Sequence, residues 1–141
     1  MTSIVLLFLL IILVILSGFL SGSETAITAT SKARIIYKKK KGSKRAGYVL
    51  NLLDKKDNVI STLLLSNNLV NILASSLATA FFYDLFGVEG IFYATLIMTI
   101  VIVIFAEVLP KTYAINRPNR TALLISPIIY YLNKILFVFV F

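Results

Sequence analysis

Phe105-Ala106-Glu107-Val108-Leu109-Pro110-Lys111 closes a long apolar run, and its reading decides the fold. Gly90 to Ala106 carries no charge; then a carboxylate, a proline and an ammonium arrive within five positions. About 20 apolar residues cross a bilayer as a helix, so this run predicts a membrane span. An ionised carboxylate at bilayer depth costs about 2.5–3.5 kcal/mol on insertion scales, which marks Glu107 as a functional residue. Pro110 has no N–H and crowds the carbonyl of Ala106, so the helix is predicted to kink there. A break frees backbone carbonyls, which membranes tolerate only inside protein or beside water. A carboxylate and freed carbonyls at membrane depth together point to a cation site.

The rest of the composition agrees with a membrane protein. The chain has 141 residues, 59% of them hydrophobic and 14% charged, against roughly 25% charged in soluble domains. Its mean hydropathy is +0.94. The net charge of +8 does not indicate nucleic acid, because ten of the fourteen Lys/Arg fall between Lys32 and Lys56, opposed there and just beyond only by Asp54 and Asp57. A basic cluster beside an apolar span is a cytoplasmic topology signal that can also touch anionic lipid. The chain has no Cys and no His. That excludes disulfides, thiolate chemistry, imidazole ligands for zinc and the neutral-pH proton shuttle.

Taken in order, residues 3–30 read as the first span. The run lacks the positive flank and small-residue cleavage site of a secretory signal and is too long for one. No Lys or Arg precedes it and a basic segment follows, which places the N-terminus outside the plasma membrane. Helical spacing puts Ser17, Ser21, Glu24 and Thr28 on one face. Gly18 and Gly22 form a small-xxx-small pair on the neighbouring face, suited to close helix packing. Residues 31–58 predict short amphipathic helices on the cytoplasmic membrane surface, divided at Gly42. Residues 59–83 predict the second span, with Ser66-Asn67-Asn68-Leu69-Val70-Asn71 in its first half. Asn67, Asn71 and Ser75 share a face at i, i+4, i+8. One amide is readily explained as an interhelical hydrogen bond, worth about 0.6 kcal/mol; three predict a polar cavity.

Asp84 to Glu89 reads as a short outer loop turning at Gly87, and residues 90–113 as the third span, kinked at Pro110. Lys111, Arg117 and Arg120 return the chain to the cytoplasm. Residues 121–141 are apolar but interrupted by Ser126-Pro127 and Asn133-Lys134, which leaves open a fourth span or a helix along the inner leaflet. The run stops without a flank, as expected of a piece of a longer protein whose next residues are cytoplasmic. The fold class is therefore an all-α integral membrane domain of three spans with juxtamembrane amphipathic helices.

Ser21-Gly-Ser-Glu-Thr-Ala26, Asn67-Asn-Leu-Val-Asn71 and Glu107-Val-Leu-Pro-Lys111, each on a different span, resemble the transmembrane domain of the CorC/CNNM (cyclin M) family of magnesium transporters. The match covers nearly the whole chain, with Ala106 standing where the family often has glycine. The resemblance implies a homodimer of three-span subunits in the lipid bilayer, for which Gly18/Gly22 is the one supporting feature in the sequence. It also implies cytosolic CBS domains, absent from this stretch, and magnesium extrusion coupled to sodium entry. Carried over by position, Ser21 and Asn71 supply hydroxyl and amide ligands, with Ser17, Asn67 and Asn68 beside them. Carbonyls from Pro110 to Ala114 supply backbone ligands, and Glu107 supplies negative charge. Glu24, Gly22, Pro110 and Lys111 support the site; Lys111 could pair with Glu107 when the site is empty, although Pro110 between them leaves regular i, i+4 geometry unassured. Mg2+, with Na+ as counter-ion, is the cargo. Oxygen donors suit a hard cation that prefers about six oxygen ligands.

Two readings follow. The first is magnesium transport through a dehydrated site; the second is a non-transporting anchor that senses magnesium and signals to a missing cytosolic part. An enzyme is the least favoured class, since Glu24 and Glu107 have no nucleophile motif around them.

Overall fold

A computed structural model describes residues 2–140, with side chains described for residues 3–136. The described chain is helical almost throughout. α1 spans Thr2–Ala29, α2 Lys32–Lys40, α3 Lys44–Asp54, α4 Lys56–Phe86 and α5 Glu89–Val101; a π-helical turn, Ile102–Val108, leads into α6, Leu109–Asn116, and α7 spans Pro118–Val140. Among the described residues three helices are long and apolar enough to cross a membrane: Ser3–Ala29, Lys56–Phe86 and Glu89–Asn116. The third is α5, the π turn and α6 taken together.

The bundle is ordered from one end to the other by three apolar clusters. Leu10, Ala74, Ala78 and Met98 join α1, α4 and α5 at the end that carries the Gly87–Val88 connection, shorter than the expected Asp84–Glu89 loop because α4 runs on to Phe86 and α5 starts at Glu89. Leu20, Val70, Leu63 and Ile129 lie in the middle cluster. Ala26, Ile35, Ala46, Val49, Ala114 and Ala122 close the opposite end, where α2, α3, α6 and α7 gather. The basic segments therefore collect at one end of the bundle and Asp84 and Glu89 at the other. Large apolar side chains such as Phe8, Leu69, Ile72 and Phe92 point outward, as a lipid-facing surface requires.

Local chemistry sets the breaks. Ser31 and Ser43 cap α2 and α3, accepting the backbone N–H of Arg34 and Ala46, and Gly42 turns between them at φ +95°. Gly87 ends α4 at φ +73°. Gly90 was not singled out by the sequence, yet α5 crosses α4 there: a Cβ on Gly90 would lie 2.1 Å from the Phe82 carbonyl oxygen.

The expected break at Pro110 takes a particular form. The helix widens ahead of the proline into the π turn, where the Leu109 N–H donates to the Ile104 carbonyl five residues back. One extra residue in the turn relieves the clash between the proline ring and the carbonyl below it.

Of the segment left open at 121–141, residues up to 140 belong to α7, and among the described residues α7 is not one of the helices long and apolar enough to cross. It packs along α3 and α1 at the basic end. Pro127 lies inside it and deprives the Leu123 carbonyl of its donor. Ser126 Oγ donates to that carbonyl at 3.0 Å, and Arg45 Nη1 from α3 reaches the Leu123 and Leu124 carbonyls at 3.4 and 3.1 Å. Arg45→Ala is expected to lower stability by about 1 kcal/mol, the worth of one exposed charge-assisted bond. The loss should shrink when Pro127→Ala restores the backbone donor, which unfolding of the two single variants and the double variant measures as a coupling energy.

Candidate cation site

The site is built where α1 packs along α4, the most extensive helix pairing in the chain. Ser17 and Ser21 stand one turn apart on α1, and Asn67 and Asn71 one turn apart on α4; antiparallel packing brings both pairs level. Ser17 and Ser21 are buried, with 1% and 0% exposure, and Asn67 is buried at 7%. Ser17 Oγ donates to Asn67 Oδ1 at 2.7 Å, and Asn67 Nδ2 donates to Ser21 Oγ at 3.0 Å. Ser17 Oγ also lies within hydrogen-bond distance of Asn71 Oδ1.

That arrangement has more acceptors than protons. One hydroxyl proton serves one of the two amide oxygens, not both. The second contact is satisfied in one of two ways: Asn71 turns its NH2 toward Ser17, or the oxygens share a cation. Three oxygens converging on one proton is a donor set that a hard cation can complete.

The neighbouring face of α1 meets the broken third span. A Cβ on Gly18 would lie 3.2 Å from Pro110 Cγ and 3.3 Å from the Phe105 carbonyl oxygen; one on Gly22 would lie 3.4 Å from both Pro110 Cβ and the Pro110 carbonyl oxygen. The small-xxx-small pair is thus used within the chain, seating α1 against Pro110. In the π register the donor next in line for the Phe105 carbonyl is residue 110, a proline. This carbonyl therefore lacks its helical partner, and it borders Gly18, the residue after Ser17.

The other predicted residues are distributed as follows. Asn68 is exposed and stands away from the cluster, because consecutive helical residues are about 100° apart. Ser75, expected to continue the Asn67/Asn71 face, is exposed and lines a cavity of about 350 Å³ with Thr79, Thr95 and Thr99. Glu107 and Lys111 are both half-buried but do not pair: among the described residues the one ion pair is Lys32–Asp54 at 3.8 Å. The helix changes from π to α register at Val108–Leu109, between Glu107 and Lys111, which alters the i, i+4 geometry that would bring them together. Ala114 is fully buried in an apolar cluster, and α6 is regular around it, the Tyr113 carbonyl accepting from Arg117 N–H. The orphaned carbonyl lies before Pro110, at Phe105, because a missing donor affects residues toward the N-terminus. Glu24 is half-buried, and its carbonyl accepts from Thr28 Oγ1. Among the described residues no three His, Cys, Asp or Glu side chains come together, and the oxygens that converge on Ser17 are neutral amide oxygens.

Comparison with known proteins agrees with this architecture. The cyclin M transmembrane N-terminal domain profile matches residues 8–141. The chain is 40% identical over 131 residues to the UPF0053 inner membrane protein YfjD of Escherichia coli, covering 85% of this chain and 31% of that protein. It is 38% identical over 129 residues to a UPF0053 protein of Haemophilus influenzae, covering 92% of this chain and 31% of that protein. A chloroplastic DUF21 domain-containing protein of Arabidopsis thaliana is 30% identical over 131 residues, covering 92% of this chain and 20% of that protein. The chain belongs to the cyclin M transmembrane domain family, and it spans about a third of the length of its bacterial relatives.

Proposed function

We propose, for this member of the cyclin M transmembrane family, that the domain carries magnesium across the membrane through the Ser17/Ser21/Asn67/Asn71 cluster. The observation that carries the reading is the convergence of the Ser17 hydroxyl with two amide oxygens on a single proton. Magnesium accepts about six oxygens at roughly 2.0–2.1 Å and gives up water reluctantly. Hydroxyl and amide oxygens, the unpartnered Phe105 carbonyl and the charge of Glu107 supply part of such a shell. With one nearby formal charge the site can also let the ion go, which a carrier needs. When the ion leaves, Asn71 turns its NH2 to Ser17 and the cluster closes on itself. The pivot for alternating access is the π turn, where Gly18 and Gly22 allow α1 and the third span to slide on each other.

In this reading the ion moves outward in exchange for sodium, the protein is a homodimer in the plasma membrane with its N-terminus outside, and the rest of the full-length protein carries cytosolic regulatory domains. The support for these points is the family resemblance and the distribution of charge.

The test is magnesium flux in proteoliposomes, with and without a sodium gradient, for this chain and for Asn71→Ala. The expected result is sodium-dependent flux that falls at least about tenfold in the variant, equivalent to about 1.4 kcal/mol of lost ligation. Flux indifferent to sodium removes the coupling and keeps the site. Magnesium binding without flux favours the sensing anchor instead.

A further inference from the structure

The lysines of α2 are not used by the cation site, and their surroundings are specific. α2 begins three residues after the end of α1, so it lies within about 10 Å of the end of a membrane span. Ile35, fully buried, fastens α2 to Ala26, Ala46, Val49, Ala114 and Ala122 and so sets which face is turned away. At about 100° per residue, Tyr37 and the flanking Lys40 and Lys41 lie on that outward side. Tyr37 is 58% exposed and Ile36 is 38% exposed. The Lys41 ammonium sits 4.7 Å from the centre of the Tyr37 ring. Among the described residues Arg34 and Lys38 to Lys41 have no carboxylate partner, the one ion pair being Lys32–Asp54.

We propose that α2 docks on anionic phospholipid headgroups of the adjoining leaflet, with Tyr37 and Ile36 in the interfacial layer and Lys40 and Lys41 on the phosphates. A run of solvated lysines accounts for the charge but not for an exposed tyrosine and isoleucine set among them. Tyrosine is enriched where one end of a side chain meets water and the other meets acyl chains. Basic clusters next to a span bind anionic lipid at about 1 kcal/mol per Lys or Arg. The second apolar anchor and the position at the end of α1 favour the bilayer over a soluble acidic protein. This docking does not depend on the transported ion.

The chain contains no tryptophan, so Tyr37→Trp places a single indole, excited selectively over the remaining tyrosines, on the outward face. The full chain is reconstituted in phosphatidylcholine vesicles containing a minor fraction of phosphatidylglycerol, with bromine on the acyl chains of one lipid or of the other. At equal mole fraction, quenching by brominated phosphatidylglycerol is expected to exceed that by brominated phosphatidylcholine about fivefold, the equivalent of one lysine's share. Replacing Lys40 and Lys41 by Gln in the Tyr37→Trp background should erase the difference, and replacing them by Arg should keep it. Salt at about 1 M, where screening shortens to about 3 Å, should also erase it without any substitution. Equal quenching by the two lipids overturns the proposal. So does an absence of quenching by either, which would turn this face toward water and a soluble partner.

Discussion

Gly90→Ala is expected to lower the stability of the domain by about 3 kcal/mol or more, read as a shift in unfolding followed by circular dichroism. The added methyl would lie 2.1 Å from the Phe82 carbonyl oxygen and 2.5 Å from its carbon. Overpacking a core with side chains that can move costs about 1–3 kcal/mol. Here the obstacle is backbone, so α5 itself must withdraw from α4. Withdrawal opens the cluster of Leu10, Ala74, Ala78 and Met98 and loosens the outer half of the third span. Gly87→Ala serves as the comparison. Gly87 has φ +73° and ψ −146° with open space around it, so alanine there strains one residue by about 1–3 kcal/mol and leaves the helices in contact. Equal effects from the two substitutions would mean that the close crossing at Gly90 is not what holds the hairpin.

Asn67→Ala is expected to reduce stability and magnesium flux together, whereas Asn71→Ala reduces flux with little change in stability. Asn67 holds both serines of α1, accepting from Ser17 and donating to Ser21. Interhelical hydrogen bonds in membranes average about 0.6 kcal/mol and reach about 1.7, so loss of two amounts to about 1–3 kcal/mol. Asn71 is half-buried and makes one contact of the cluster, and Ser17 keeps Asn67 as its acceptor when Asn71 is removed. Unfolding and proteoliposome flux measured on both variants separate the two roles. If Asn71→Ala destabilised as much as Asn67→Ala, the cluster would be a packing device, and the case for a carrier would weaken.

Much of this was legible in the residues because membranes apply simple rules. Long apolar runs marked the three spans, since only a helix satisfies its backbone in lipid. Ser17, Ser21, Asn67 and Asn71 could be paired off from helical spacing, because polar side chains on one face of a span must turn toward protein. Gly42 and Gly87 were visible as turns. Gly90 was not, because its requirement comes from a carbonyl eight residues earlier on another helix. Arg45 looked like one more charge in a basic run; its role at Pro127 depends on how α3 lies against α7.

The sequence by itself determined the helices, the grouping of the basic segments and the polar faces of α1 and α4, because period and polarity act within one element. Tertiary structure alone decided the rest. It placed Asn68 outside the cluster and kept Lys111 from Glu107. It turned Gly18 and Gly22 inward onto Pro110, moved the orphaned carbonyl to Phe105 and laid α7 along the basic end. Each of these depends on the distance between two helices, which no periodicity along a single chain segment encodes.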